Sequence, residues 1–188
     1  MSQPTPSDRA PLLGVAPASL HALHAALAAQ LGAAAATPLQ EAGYATGTAL
    51  AGAMRDWLRA RGEGDPSALP LGAFGSRAAA FFREHGWGSV AIDTSNGVAT
   101  MVETRDWADW QPREGGEPPT AHFTTGLLAG FFGTLADAPL AVLEVEPPAT
   151  EPGRCRFLVG SEAVVGHVFE RLQEGDDAEV ALAELRGG

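Results

Sequence analysis

Few residues in this chain are of types that do chemistry, and their spacing limits what that chemistry can be. The single cysteine, Cys155, lies in Arg154-Cys155-Arg156-Phe157. A lone thiol cannot clamp zinc, because tetrahedral sites want four N, S or O ligands. Strand alternation puts Cys155, Phe157 and Val159 on one face and both arginines on the other, which predicts a buried, inert thiol. His21 and His24 sit close together without a Glu or Cys cluster, so they make no metal motif. Against the leucine stripe Leu20, Leu23, Leu27 and Leu31 they are predicted to be surface or rim residues. His85 and His167 are read as structural or exposed. Glu144 and Glu146, two apart, share one side of a strand and read as a solvated face. The serine elbow, dinucleotide glycine fingerprint, zinc-protease pair and phosphate-loop lysine are missing. A binding protein without a cofactor is therefore expected ahead of an enzyme.

Aromatic and glycine residues carry more information. Trp107 and Trp110 lie where a strand gives way to a Pro/Gly-rich loop, Asp106–Pro119. Each ring can bury on the order of 150–250 Å², so the pair caps the core or forms a lid over an apolar cavity. Gly126, Gly130 and Gly133 with Ala129 make one small face of a helix opposite Phe123, Leu127, Leu128 and Phe131. Gly43, Gly47 and Gly52 fall inside another helix, each costing on the order of 1 kcal/mol relative to alanine. Close approach of a second helix is the simplest compensation.

Composition sets outer limits. The 188 residues carry a formal charge of −11, and all 12 basic residues are arginine. Such an acidic chain should be repelled by phosphate backbones and anionic lipid, so no nucleic-acid partner is expected. No segment reads as the roughly 20 apolar residues of a membrane span, and Met1–Arg9 lacks the apolar region of a signal peptide. No membrane insertion and a cytoplasmic location are the expectations.

Residues 1–17 read as a flexible N-terminal segment and 18–188 as a single domain. Helices are predicted from Ser19, over Leu39–Arg61, over Leu71–His85, and from Thr120 or Thr124 as cap to Asp137. Strands are predicted over Trp87–Asp93, Val98–Arg105, Pro139–Glu146 and Arg154–Gly160. Asn96-Gly97 is a hairpin signal in the first pair, and Pro147–Pro152 links the second. Ser161–Leu185 has helical spacing broken at Glu174–Asp177. The order α-α-α-β-β-α-β-β-α favours α+β, with N-terminal helices packed on a small antiparallel sheet.

The run His122-Phe-Thr-Thr-Gly-Leu-Leu-Ala-Gly-Phe-Phe-Gly, with Pro139–Glu146 and Gly153–Gly160 after it, resembles the C-terminal half of the 4-vinyl reductase domain family. That family is related in fold to haem-NO-binding domains and small TRAPP subunits. The resemblance extends over most of Ala18–Phe169 and is looser over Leu31–Arg61. It implies the same mixed order and a non-catalytic module for a small apolar, hydrocarbon or lipid-like molecule; the chain's length adds the expectation of a sensor acting through a separate partner. Family members often carry two cysteines around the last inter-strand link; here Pro147 stands near the place of the first. Periodicity and the related fold together put Tyr44, Phe81, Phe82, Trp87, Met101, Phe123, Leu127, Phe131 and Phe157 on the walls of a cavity between helices and sheet. Trp107, Trp110 and His122 are placed at its entrance. A homodimer through the first two helices is expected. The alternatives are a dimeric scaffold of TRAPP-subunit type, with glycine-bearing helix faces as contact surfaces, and a factor in tetrapyrrole vinyl reduction.

Overall fold

The computed structural model describes residues 12–110, 121–146 and 153–187. Most of the expected N-terminal segment, the later part of the tryptophan loop with Thr120, and the link 147–152 lie outside the described residues. The elements are α1 (Pro17–Leu31), α2 (Ala36–Arg59), α3 (Leu71–Glu84), β1 (Ser89–Asp93), β2 (Thr100–Arg105), α4 (His122–Ala136), β3 (Ala141–Glu146), β4 (Arg154–Gly160), α5 (Glu162–Glu174) and α6 (Ala178–Gly187). This is the expected α+β order, with the last helix split in two.

Local chemistry explains the punctuation. Gly32 (φ 56°, ψ −133°) ends α1 in a conformation that side chains disfavour. One 3₁₀ turn follows, and Pro38 falls in the first turn of α2, where a missing N–H forfeits no helical bond. In the β1–β2 turn the Asn96 side chain accepts from the N–H groups of Val98 and Ala99, and Gly97 supplies φ 72°. Ser161 caps α5 by accepting from the Val164 N–H, and Gly175 closes it in the left-handed region.

α4 is apolar nearly all round and lies at the centre of the fold, as such a helix must. Its small face meets that of α2. A Cβ on Gly43 would stand 2.0 Å from Phe123 O and one on Gly47 2.0 Å from Leu127 O; on Gly126 it would stand 2.1 Å from Gln40 O and on Gly130 2.2 Å from Tyr44 O. The two helix backbones are in direct contact through four glycines. These faces are consumed inside the chain, so they are not free to form the subunit contact that the scaffold alternative needed. Gly52 has nothing within 4 Å and takes no part.

The four strands form one antiparallel sheet of order β1-β2-β4-β3. Alternation sends Val90, Val102, Phe157 and Val159 into the core with α2, α3 and α4. Met101 and Leu158 point the other way, into a second cluster with Val165, Val168, Ala181 and Leu182 of α5 and α6. Both faces of the sheet are therefore covered.

α1 is the exception to this close packing. It buries no residue completely. Leu20 and Leu27 pack on the core while Leu23 and Leu31 are exposed. The continuous helical stretch Pro17–Arg59 contains a long apolar segment of which little is buried. By length and composition alone this one stretch is apolar enough to cross a membrane, so the reading that no segment approaches that limit is corrected. The core helix of a soluble protein passes the same test.

Two glycines of α2 separate the packing contribution from helix propensity. Gly47→Ala should destabilise the fold by about 3 kcal/mol or more, because backbone must move. Gly52→Ala in the same helix should stabilise it by about 0.5–1 kcal/mol. Urea unfolding followed by circular dichroism reads both; equal effects would show that the glycine contact carries no stability.

Candidate functional site

The N-terminal end of α4 gathers the residues with chemistry. Trp107 is aimed there by a short strained turn. Asp106 adopts φ 50° and donates its N–H to Gly153 O at 3.0 Å. Gly88 lies against the same turn, where a Cβ would meet Asp106 O at 2.5 Å. The Ala108 N–H then bonds Trp87 O at 2.9 Å, fixing the start of the tryptophan loop to the entry of β1. As a result Trp107 is only 4% exposed.

Around it the rings form a connected set. Trp107 lies 5.3 Å from Phe82 and 5.7 Å from Trp87, centroid to centroid; Trp87 stacks on Phe123 at 6.3 Å, and Phe123 meets the His24 ring at 5.3 Å. Phe82 continues inward to Phe131 at 4.9 Å and Phe81 at 5.6 Å. Trp110 is half-buried against the same core.

Polar groups are embedded in this aromatic surround. The Trp107 and Trp110 indole N–H groups and His24 Nε2 are buried without a hydrogen-bond partner among the described residues. A buried indole N–H usually finds an acceptor, and leaving it without one costs on the order of 1–3 kcal/mol. His24 Nδ1 stands 2.8 Å from Asp109 Oδ1, the two side chains 13% and 6% exposed. The approach is bent, since that oxygen receives no well-directed hydrogen bond. Asp109 Oδ2 accepts from the Thr124 hydroxyl at 2.8 Å. His21 Nε2 lies 2.8 Å from Ala108 O. Glu144 faces Phe157 across the β3–β4 ladder, and its Oε2 accepts from the Ala121 N–H at 3.3 Å, just before α4.

These placements revise several readings. Phe81, Phe82, Trp87, Trp107, Trp110, Phe123, Leu127, Phe131 and Phe157 belong to the one core that contains the site, and His122 is half-buried at the first turn of α4. Tyr44 is 51% exposed: the α2 backbone at that point touches Gly130, and the ring projects outward. Met101 lies on the far face of the sheet with α5 and α6. Neither lines the site. His21 and His24, expected at the surface or rim, are half-buried and held against the tryptophan loop, since Leu20, His24 and Leu27 share the inward side of α1. Thr124 does not cap α4 but pairs with Asp109. Glu144, expected on a solvated face, turns toward the α4 N-terminus beside an irregularity in register between Glu144 and Glu146. No His/Cys/Asp/Glu group able to hold a metal occurs among the described residues.

An open cleft of about 740 Å³ lies at the other end of α4, lined among others by Leu69, Leu71, Phe74, Phe132, Leu135 and Leu140. None of the twelve predicted ligand-wall residues lines it. Phe74 and Phe132, at 6.2 Å, connect it to the same ring network through Phe131.

No family model matches the chain, and no curated protein sequence matches it. Among solved structures it is similar to the phenol-responsive sensory domain of the transcription activator PoxR with phenol, at 17% identity and TM-score 0.57, over 92% of this chain and 82% of that one. The fold is shared. A vinyl-4-reductase family protein from Methanocaldococcus jannaschii matches over 64% of this chain and 66% of its own, at 21% identity and TM-score 0.44.

Cys155 fits the buried reading. Burial, with the Glu144 and Asp109 carboxylates nearby, pushes its thiol up to about 12, against a lowering by the Thr104 hydroxyl. Across pH 7–9 the group stays protonated, and the thiolate is the reactive form. A thiol reagent at pH 8 should leave the native protein unmodified and label it fully in urea. Rapid labelling of the native protein, followed by mass spectrometry, would contradict this.

Proposed function

We propose that this protein is a non-catalytic sensor domain that binds a small aromatic molecule bearing one polar group at the α4 N-terminal site. The observation that carries the reading is the buried Trp107 indole N–H, without an acceptor among the described residues inside a wall of aromatic rings. Apolar walls with a few fixed polar groups are what small-molecule sites are made of. The fold it shares with a phenol-responsive sensory domain supports the same class of ligand. Phe82, Trp87, Phe123 and Phe131 supply the walls, and Trp107 and Trp110 supply donors. No cofactor is part of this reading.

The dimer belongs to the same proposal. Between Arg9 and Glu41 the sequence has no Asp, Glu, Lys or Arg. That stretch exposes Leu12, Leu13, Val15, Leu23 and Leu31, with Tyr44 beyond it. Elsewhere two copies of an acidic chain repel, so this neutral apolar strip is where they would meet, through the outer face of α1. Sedimentation velocity at micromolar concentration should find a dimer that Leu23→Glu with Leu31→Glu converts to monomer; a monomeric parent protein would reject the interface. A cytoplasmic protein remains the proposed setting.

Phenol at millimolar concentration should raise the melting temperature and quench tryptophan fluorescence. Trp107→Phe keeps the ring and loses one donor, so affinity should fall roughly fivefold, the equivalent of about 1 kcal/mol. No thermal shift with phenol, toluene or anisole, and no extractable ligand in the purified protein, would defeat the reading.

A further inference from the structure

His24 brings to the site a feature that the tryptophans cannot. Indole nitrogens only donate, so Trp107 and Trp110 accept any ligand oxygen alike, whether hydroxyl, ether or carbonyl. Discrimination between these needs an acceptor. The imidazole provides one through its geometry. His24 Nδ1 lies 2.8 Å from Asp109 Oδ1. A carboxylate at that distance draws the ring proton electrostatically toward Nδ1, so the Nδ1–H tautomer is assigned from the charge beside it and not from a directed hydrogen bond. Asp109 is itself held from α4 by the Thr124 hydroxyl. In the neutral ring the other nitrogen, Nε2, presents a lone pair. That atom is buried and has no partner among the described residues. The ring is seated on Phe123, which itself stacks on Trp87, and Trp87 in turn meets Trp107.

We propose that His24 is the specificity-determining residue of this site: its Nε2 accepts a hydrogen bond from the ligand, so the site selects neutral molecules that carry a hydroxyl over their ethers. This rests on the binding reading above and adds to it the residue that reads the polar end. A hydroxyl carries the proton that Nε2 accepts, and its oxygen is still able to accept in turn. An ether oxygen accepts but leaves Nε2 unmatched. A carboxylate would bring a third negative charge beside Asp109 and Glu144, whose charges already bear on Cys155. His24 comes to the site on a helix that buries no residue completely and joins α2 at Gly32, so its replacement does not open the core.

Phenol and anisole share a ring and an oxygen and differ in the donor. Calorimetric titration of the full-length protein should show phenol binding at least tenfold more tightly than anisole. His24→Phe retains the ring on Phe123 and removes both nitrogens. It should reduce that ratio to within about threefold while anisole affinity stays within about threefold of the parent. His24→Ala should reduce the ratio in the same way, and unchanged circular dichroism of either variant confirms the fold. A phenol-to-anisole ratio that survives both substitutions overturns the role of His24 and leaves the binding site standing. A parent protein that prefers anisole also overturns it, since Nε2 would then be a donor. A parent protein that binds neither compound removes the binding reading itself, and this inference with it.

Discussion

The contact of α2 with α4 is the constraint on which the other arrangements depend. Four glycines let the two backbones touch, with would-be Cβ positions 2.0–2.2 Å from carbonyl oxygens of the opposite helix. Each glycine in a helix interior carries a conformational cost. The cost is offset because the close approach lets the bulky side of α4, with Phe123, Leu127 and Phe131, face the sheet and α3. A normal spacing of 8–10 Å between helix axes would push that bulky side outward. The ring contacts from Phe82 to Phe131 would then be lost.

The tryptophan loop depends on α4 in turn. Its start is fixed by backbone bonds to Trp87 O and Gly153 O and by a left-handed Asp106. Three residues on, Asp109 makes polar contacts with Thr124 on α4 and His24 on α1. The first set belongs to the sheet and the second to the helices, so residues 106–110 lie at the junction of the two layers. The buried unpartnered atoms of His24, Trp107, Asp109 and Trp110 collect at that junction. The opposite face of the sheet has its own apolar cover in α5 and α6, with Met101 and Leu158 between. The sheet is thereby stiffened independently of the site.

The residues differ in how far the sequence revealed their places. The order of elements, the inert face of Cys155 and the packing purpose of Gly43 and Gly47 were legible, because each follows from a local period. Met101 was misplaced by one strand position: Val102 is the residue that faces inward, and an unbroken apolar pair hides the parity. Tyr44 follows Gly43 by one helical step, about 100° around the axis, which is enough to carry it from contact to solvent. In α1 the alanines leave two leucine stripes of similar strength, and only the tryptophan loop, distant in sequence, decides that His24 turns inward. Glu144 escaped detection because β3 has no solvated face: Leu143 and Val145 pack on the second cluster, while Glu144 shares the side of Val142, toward the first core. What stayed hidden was in each case set by a long-range partner.

One feature of the interior makes the molecule its own optical instrument. The indoles of Trp87 and Trp107 lie 5.7 Å apart at an interplanar angle of 39°, close enough for their electronic transitions to couple. A dipolar guest beside that pair shifts both transitions together. The near-ultraviolet dichroism of the unlabelled protein thus reports on its interior directly, with no dye attached and no residue replaced.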